Sequence, residues 1–129
     1  MRILIVDDEA PARARLRRLL VPFAGVEVVG EAADAVQALQ QVEAHQPDLL
    51  LLDVQMPGAS GLDLAASLVD PVPGVVFVTA FDHYALQAFE VAAIDYLLKP
   101  VDPSIWRAPC AAGNSAGRRQ APIRFHASY

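Results

Sequence analysis

The sequence predicts an α/β domain in which helices cover both faces of a doubly wound, five-stranded parallel sheet. Short, uninterrupted apolar runs alternate along the chain with segments whose apolar residues recur with the helical period. Uninterrupted runs are typical of strands buried on both faces, as in a parallel sheet between helical layers. A length of 129 residues with 54% hydrophobic residues suits one domain with a substantial core.

The five predicted strands follow from these apolar runs. Residues 3–6, 49–52 and 75–78 consist only of Ile, Leu, Val and Phe, which predicts strands at the centre of the sheet. Residues 26–31 mix valines with glutamate and glycine and therefore fit an edge strand. A fifth strand is predicted over residues 95–98, directly before a lysine and a proline.

Helical patterns fill the gaps between the predicted strands. The first helix has apolar residues at i, i+4, i+7, i+8 and i+11 on one face, which are Ala12, Leu16, Leu19, Leu20 and Phe23. We expect the arginines of its other face (Arg13, Arg15, Arg17 and Arg18) to be solvated rather than to form a binding patch. A second helix should end before Pro47, and two more are predicted over residues 61–69 and 83–92.

The fourth predicted helix is more apolar than the others. Only His83, Gln87 and Glu90 are clearly polar in it. Such a helix is either buried more deeply than its neighbours or presents an apolar face to another protein. The pattern alone leaves both interpretations open.

The pattern of strands and helices ends soon after Pro100. Asp102 and Pro103 form a good helix start, with an N-cap and a proline at the first helical position. Another proline follows at position 109, and residues 111–119 have no apolar period. We therefore predict one domain over residues 1–107, with its fifth helix short or missing, and a flexible tail over residues 108–129.

Charge and composition argue against several classes of protein. The net charge of −5 argues against direct nucleic-acid binding by this chain, which needs clustered Lys and Arg. The one cysteine, Cys110, cannot form an internal disulfide, which favours a cytoplasmic location. The N-terminal apolar run is too short for a secretory signal, and no stretch is long enough to span a membrane. We expect a soluble protein.

Polar side chains follow four of the predicted strands. Asp7 and Asp8 follow the first strand, Asp53 the third, Thr79 the fourth and Lys99 the fifth. The ligand crevice of a doubly wound sheet opens at the carboxyl ends of its strands, so these side chains would converge if the first strand lies beside the third. Each has an ordinary explanation by itself, such as a helix cap, a turn or a surface lysine. Together they predict a functional site.

An acidic cluster of this kind favours a hard cation. Three carboxylates within a few ångströms repel one another, and without a cation at least one would be driven toward protonation. Oxygen donors without cysteine or paired histidine suit Mg²⁺, which needs few protein ligands and keeps waters. The ion would neutralise charge on an incoming phosphoryl group, whose oxygens Lys99 and Thr79 would contact. The carboxylate of Asp53 would be the nucleophile.

Four segments together resemble the response-regulator receiver domain. They are residues 3–9 (ILIVDDE), 51–58 (LLDVQMPG), 78–80 (VTA) and 95–100 (DYLLKP). The resemblance covers about the first 103 residues, at spacings typical of the family, and implies a flavodoxin-like sheet with strand order 2-1-3-4-5. Residues 79–90 look most like the LytR/AlgR subgroup, whose members usually carry a LytTR DNA-binding domain.

The resemblance implies a two-component phosphorelay and a role for each acid. A sensor histidine kinase would phosphorylate Asp53. Asp8 and Asp53 would hold Mg²⁺ directly, together with the main-chain carbonyl of Gln55, while Asp7 would act largely through water. The chain would not be an enzyme in the ordinary sense, since it would at most phosphorylate itself from small phosphodonors and lose the phosphoryl group slowly.

The resemblance also implies how the signal would leave the site. Thr79 and Tyr96 would be the switch pair: the threonine moves to the phosphate and the aromatic ring turns inward behind it. Lys99 would contact phosphate, and its peptide bond to Pro100 would be cis. The fourth helix and fifth strand would form the face for a homodimer or a partner, which favours the second interpretation of that apolar helix. The residues of this face would include Leu86, Phe89 and Glu90.

The chain departs from the family pattern after Trp106. The family closes with an amphipathic fifth helix and the subgroup continues into an output domain, and neither is recognisable in a sequence rich in Arg, Ala, Gly, Pro and Ser. This composition is typical of a truncated or out-of-frame end. One face of the fourth and fifth strands would then be open, and we expect reduced stability or self-association through it.

Two other functions are compatible with an acidic cluster of this kind. A haloacid-dehalogenase-like phosphatase also uses an aspartyl phosphate and Mg²⁺, but it has Asp-x-Asp after its first strand, where this chain has Asp7-Asp8-Glu9. The other alternative is a non-signalling remnant, which keeps the site but cannot pass the signal on. A P-loop is excluded because no Gly-x-x-x-x-Gly-Lys occurs.

Overall fold

Strands and helices alternate along the first hundred residues of the chain. The structure, a computed structural model, describes residues 1–69, 72–81, 84–91, 93–101, 106–107 and 124–125. The elements in these ranges are β1 (Arg2–Val6), α1 (Ala10–Leu20), β2 (Glu27–Ala32), α2 (Ala35–His45), β3 (Leu49–Leu52), α3 (Gly61–Ala66), β4 (Gly74–Thr79), α4 (Ala85–Glu90), β5 (Asp95–Leu98), β6 (Trp106–Arg107) and β7 (Arg124–Phe125).

The first five strands form one parallel sheet in the order β2-β1-β3-β4-β5, which confirms the predicted fold class and strand order. In this sheet β1 and β3 are neighbours, and Val6 pairs with Leu52 at their carboxyl ends. Thr79 of β4 pairs with Leu98 of β5. The residues that follow β1, β3, β4 and β5 therefore meet at one edge of the sheet.

The central strands are buried on both faces because nearly every residue in them is apolar. Leu4 and Val6 of β1 pack into a cluster on one face of the sheet. Ile3 and Ile5, the alternate residues of the same strand, pack into a second cluster on the other face together with Leu16 of α1. Burial of both faces is what solid apolar runs predict, and it holds the strand ends rigidly.

The basic side of α1 is only partly solvated. Arg13 donates hydrogen bonds to a carboxylate oxygen of Glu31 at 2.9 Å and to the main-chain oxygen of Asp7 at 2.7 Å, and its side chain is 19% exposed. Arg17 reaches the other oxygen of Glu31 at 2.7 Å. The expectation of a solvated basic face is therefore wrong for Arg13, which ties α1 to β2.

Two helices begin at side-chain caps, and one ends earlier than predicted. The carboxylate of Asp34 accepts a hydrogen bond from the amide of Gln37 at the start of α2, and the hydroxyl of Ser60 accepts one from the amide of Asp63 in α3. Helix α3 ends at Ala66 instead of residue 69. The hydroxyl of Ser67 donates to the carbonyl of Leu64 there and so contributes to ending the helix.

The C-terminal region is described in two short segments only. β6 and β7 pair antiparallel, with Trp106 opposite Phe125. The predicted start of a fifth helix at residues 102–103 and most of the predicted tail lie outside the described residues, so the division at residue 107 stays a prediction. No helix in the described ranges combines the length and the apolar character needed to cross a membrane.

Candidate functional site

Three carboxylates converge at the carboxyl end of the sheet. The amide of Asp7 donates to the carbonyl of Ala32 in β2, and the amide of Asp53 donates to the carbonyl of Val6 in β1, each at 3.0 Å. These bonds extend the strand pairing by one residue and bring both acids, together with Asp8, to the same rim. One carboxylate oxygen of each acid lies within 4.8 Å of the others. Asp7 and Asp53 are buried, whereas Asp8 is exposed.

Lys99 lies between the two buried acids. Its Nζ is 2.7 Å from Oδ2 of Asp7 and 3.4 Å from Oδ2 of Asp53. The main-chain amide of Lys99 donates to the carbonyl of Thr79 at 2.8 Å, which holds the lysine at the end of β5. The peptide bond between Lys99 and Pro100 is cis. Burial by itself would lower the pKa of Lys99, but the two carboxylates outweigh it and raise this pKa, so the side chain is a fixed positive charge.

The environment of the Asp53 carboxyl group is less favourable to its charge than the environment of Lys99 is to the ammonium group. Burial raises the pKa of Asp53; the charge of Lys99 opposes this rise and that of Asp7 adds to it. Hydrogen bonds from the hydroxyl of Thr79 and from the amide of Gln55, at 3.3 Å for the latter, also favour the charged form without cancelling the rise. The ionised group would therefore gain from a further positive charge at this rim.

The donor set fits a hard divalent cation. All three acids offer carboxylate oxygens, and the exposure of Asp8 leaves one side of the cluster open to water. Mg²⁺ is usually held by one or two carboxylates and retains several waters, so a partly open oxygen site suits it better than a closed cage would. Gln55, whose main-chain carbonyl is the further predicted ligand, follows Asp53 by two residues in the same loop.

Of the two predicted switch residues, Thr79 bonds Asp53 directly, and Tyr96 lies on the strand next to β4. Thr79 is fully buried at the end of β4. Tyr96 of β5 is 4% exposed, and its ring centroid lies 6.2 Å from that of Phe77. Its hydroxyl donates a hydrogen bond to the carbonyl of Phe81 and accepts one from the amide of Tyr84 at 3.3 Å. The aromatic ring is thus buried, and its hydroxyl bonds the main chain of Phe81 and Tyr84.

Helix α4 is not buried as a whole. Its Ala88 is buried, but Leu86 is 76% exposed and Glu90 is also exposed. The interpretation of α4 as a deeply buried helix is therefore wrong at Leu86. The side chain of Phe89 lies outside the described part of the chain, and the role of this face in binding a partner stays a prediction.

Sequence reasoning missed Gly61, which allows the loop after Asp53 to close. The amide of Gly61 donates to the carbonyl of Val54 at 2.7 Å, and a Cβ atom at this position would lie 2.1 Å from the main-chain oxygen of Asp53. No side chain fits between this helix start and the carbonyl. The signal available in the sequence was a glycine directly after Ser60, at the start of a predicted helix.

Comparisons with known proteins agree with this geometry. The family model of the response regulator receiver domain matches residues 3–108. The chain is 50% identical over 103 residues to an uncharacterised response regulatory protein of Yersinia pestis, covering 79% of this chain and 43% of that protein. It is also 50% identical over 104 residues to the transcriptional regulatory protein BtsR of Escherichia coli K12, with the same coverage. The chain thus spans about two fifths of the length of these curated relatives.

Solved structures show the same fold. The response regulatory domain of protein mrkE from Klebsiella pneumoniae superposes with a TM-score of 0.74 at 35% identity, over 81% of this chain and 87% of that one. The receiver domain of AraT from Geobacillus stearothermophilus gives 0.71 at 38% identity, over 80% and 84%. These domains are signalling modules rather than typical enzymes, which sets the phosphatase alternative aside. The chain belongs to the response-regulator receiver domain family.

Proposed function

We propose that Asp53 is the phosphoacceptor of a two-component response regulator and that a sensor histidine kinase is the donor. An oxygen of the Asp53 carboxylate attacks the phosphorus of the kinase phosphohistidine. A P–O bond forms as the P–N bond breaks, and the imidazole leaves with its electron pair. The observation that carries this proposal is the position of Asp53: a buried carboxylate, next to a fixed ammonium group and two further acids.

The neighbouring side chains would serve the transferred phosphoryl group. Lys99 is already within 3.4 Å of Asp53 and would place its positive charge on a phosphoryl oxygen. The buried hydroxyl of Thr79 would donate to another. Mg²⁺, held by Asp8, Asp53 and the carbonyl of Gln55 with Asp7 acting through water, would neutralise the negative charge that accumulates here.

The output would pass through Thr79 and Tyr96 to the face formed by α4 and β5. Exposed Leu86 and Glu90 would lie on that face, which would bind a second copy or an output partner. Residues 79–90 support membership of the LytR/AlgR subgroup, and BtsR, a similar protein, is named as a transcriptional regulator. We infer a cytoplasmic regulator whose control of transcription would need a DNA-binding domain other than residues 1–107.

Phosphorylation by a small donor tests the site. The chain would be incubated with acetyl phosphate and MgCl₂ and analysed by intact mass, with the expectation of one added phosphoryl group. Asp53→Asn and excess EDTA should each abolish the addition. Asp63→Asn is the matched control, because Asp63 is an exposed carboxylate in α3, outside the cluster. Addition of a phosphoryl group to Asp53→Asn equal to that of the unaltered chain would refute the proposal.

A second measurement separates a working receiver from a remnant that no longer signals. The sedimentation coefficient would be measured with and without beryllofluoride, which mimics the phosphoryl group. A working receiver should form more dimer with beryllofluoride, and Leu86→Ser should prevent this increase. A remnant would still be phosphorylated on Asp53, but its sedimentation coefficient would not change with beryllofluoride.

A further inference from the structure

Gln55 and Tyr84 are joined by a hydrogen bond between their side chains. Nε2 of Gln55 donates to the hydroxyl oxygen of Tyr84 at 2.9 Å. Gln55 lies in the loop after β3, and Tyr84 directly precedes α4. Both residues line a cavity of about 460 Å³ that also reaches Asp8. The bond therefore spans the mouth of the acidic site and connects one of its loops to the start of α4.

Each end of this bond leads back to Asp53. On one side, the amide of Gln55 donates to Oδ1 of Asp53 at 3.3 Å. On the other side, the amide of Tyr84 donates to the hydroxyl of Tyr96, and that hydroxyl donates to the carbonyl of Phe81.

The second side then closes onto the same carboxylate. The amide of Phe81 lies 3.4 Å from the hydroxyl oxygen of Thr79, and the hydroxyl of Thr79 bonds Asp53. A closed ring of hydrogen bonds thus starts and ends at Asp53 and passes through Tyr84. The rings of Phe81 and Tyr84 also pack edge to face, with centroids 6.3 Å apart.

We propose that Tyr84 is a positioning residue which receives the state of Asp53 by two routes, one through Thr79 and Tyr96 and a second, separate one through Gln55. This inference depends on the proposed phosphorylation of Asp53. The second route uses only the loop after β3 and the bond between the Gln55 and Tyr84 side chains. It would act on α4 even where the threonine and the tyrosine of the first route do not move.

The physical basis is a change in hydrogen-bond strength at Asp53. An ionised carboxylate is a stronger acceptor than the acyl phosphate that replaces it, so phosphorylation weakens the bond from the Gln55 amide to this side chain. The loop then shifts, and the Gln55 side chain transmits the shift to Tyr84. Helix α4 is six residues long and packs on the core through Ala88 and the partly buried Ala85, so a displacement of Tyr84, which directly precedes it, would act on its first turn.

Hydrogen exchange of α4 in a double-mutant cycle tests the second route. Exchange of residues 84–91 would be measured with and without beryllofluoride and Mg²⁺ in the unaltered chain, Tyr84→Phe, Gln55→Leu and the double variant. Tyr84→Phe removes one hydroxyl group and keeps the ring against Phe81. We expect it to reduce the beryllofluoride-dependent change in exchange by about fivefold, the effect of one hydrogen bond of ordinary net strength on an equilibrium constant.

The cycle distinguishes a shared bond from unrelated damage. If both residues act through one bond, the double variant should respond as each single variant does. Ser67→Ala, which removes the hydroxyl that bonds Leu64 in the turn after α3, should respond as the unaltered chain does. A response of Tyr84→Phe equal to that of the unaltered chain, or effects of the two single variants that add, would overturn the inference.

Intact mass after acetyl phosphate treatment keeps this result separate from the proposed function. If the unaltered chain takes up no phosphoryl group, the proposed function fails and the second route fails with it. If every variant is phosphorylated on Asp53 but the exchange of α4 does not depend on the Gln55–Tyr84 bond, only the second route fails.

Discussion

Replacement of Lys99 with methionine would test the electrostatic description of the site. The side chain of Lys99 is 21% exposed, and those of its partners Asp7 and Asp53 are 1% and 9% exposed. Methionine keeps an apolar stem of similar length but leaves two buried carboxylates without their shared cation. Loss of one partner from a buried ion pair costs about 3–5 kcal/mol. Because this ammonium group is partly solvated, we expect unfolding to become easier by about 2–3 kcal/mol at pH 7 in EDTA.

The pH dependence of this loss has a defined sign. Burial opposes but does not prevent the rise in the pKa of Lys99 that its two carboxylate partners produce. Its stabilising contribution is thus complete below the unfolded-state pKa of about 10.4 and is lost only as pH rises through the folded-state value. On the acid side, the difference between Lys99→Met and the unaltered chain should shrink as the carboxylates become protonated.

Urea unfolding provides the assay. A loss of about 2–3 kcal/mol corresponds to a fall of roughly 1–2 M in the midpoint for a domain of this size. Arg17→Met is the control, because it also removes one positive charge, from a side chain that is 47% exposed and bonded to Glu31. That exposed pair should contribute less than about 1 kcal/mol. If Lys99→Met loses no more stability than Arg17→Met at pH 7, the electrostatic description is wrong.

Four further substitutions test the domain by urea unfolding. Burial raises the pKa of Asp53, so the ionisation of this side chain lowers the stability of the folded chain as pH rises. In EDTA, Asp53→Asn should therefore gain stability relative to the unaltered chain between pH 4 and pH 7. Burial would raise the pKa of Glu31, but its arginine partners outweigh burial and lower this pKa. Glu31→Gln should therefore cost about 0.5–1 kcal/mol of unfolding free energy at pH 7. This difference should disappear as pH falls through the folded-state pKa of Glu31. Gly61→Ala should cost more than about 3 kcal/mol, because its Cβ would overlap the Asp53 carbonyl. Gly58→Ala, with open space but a φ of +84°, should cost only about 1 kcal/mol.

The fold could be predicted because its strands carry an unusually plain signal. The predicted bounds of β3 and β5 agree with the structure. β3 is a solid apolar run between Asp48 and Asp53, and β5 ends where Lys99 and Pro100 follow. The predicted end of α3 was wrong because Leu68 and Val69 continue the apolar pattern beyond Ala66, where the helix ends. In the folded chain Val69 is 76% exposed, so the pattern at that point does not report burial.

The convergence of the site could also be predicted, and the family resemblance implied different roles for Asp7 and Asp8, but the difference in their burial could not be predicted. Topology alone brings the ends of β1 and β3 together, whatever residues stand there. Asp7 and Asp8 are chemically identical in the sequence, yet Asp7 is 1% exposed and bonds Lys99, whereas Asp8 is exposed. The difference in burial between Asp7 and Asp8 depends on which side chain turns toward β5, and only the three-dimensional course of the main chain determines this.

The contact between Gln55 and Tyr84 was invisible in the sequence for a different reason. The carboxylates are held by strand ends, whose positions the sheet fixes. The position of Tyr84 depends on the segment between β4 and α4, where the resemblance to the LytR/AlgR subgroup gives no geometry. The chemistry at Asp53 and its transmission to α4 therefore depend on different parts of the chain. A change in the length of that segment should break the Gln55–Tyr84 bond and leave the carboxylates, Lys99 and the phosphorylation of Asp53 in place.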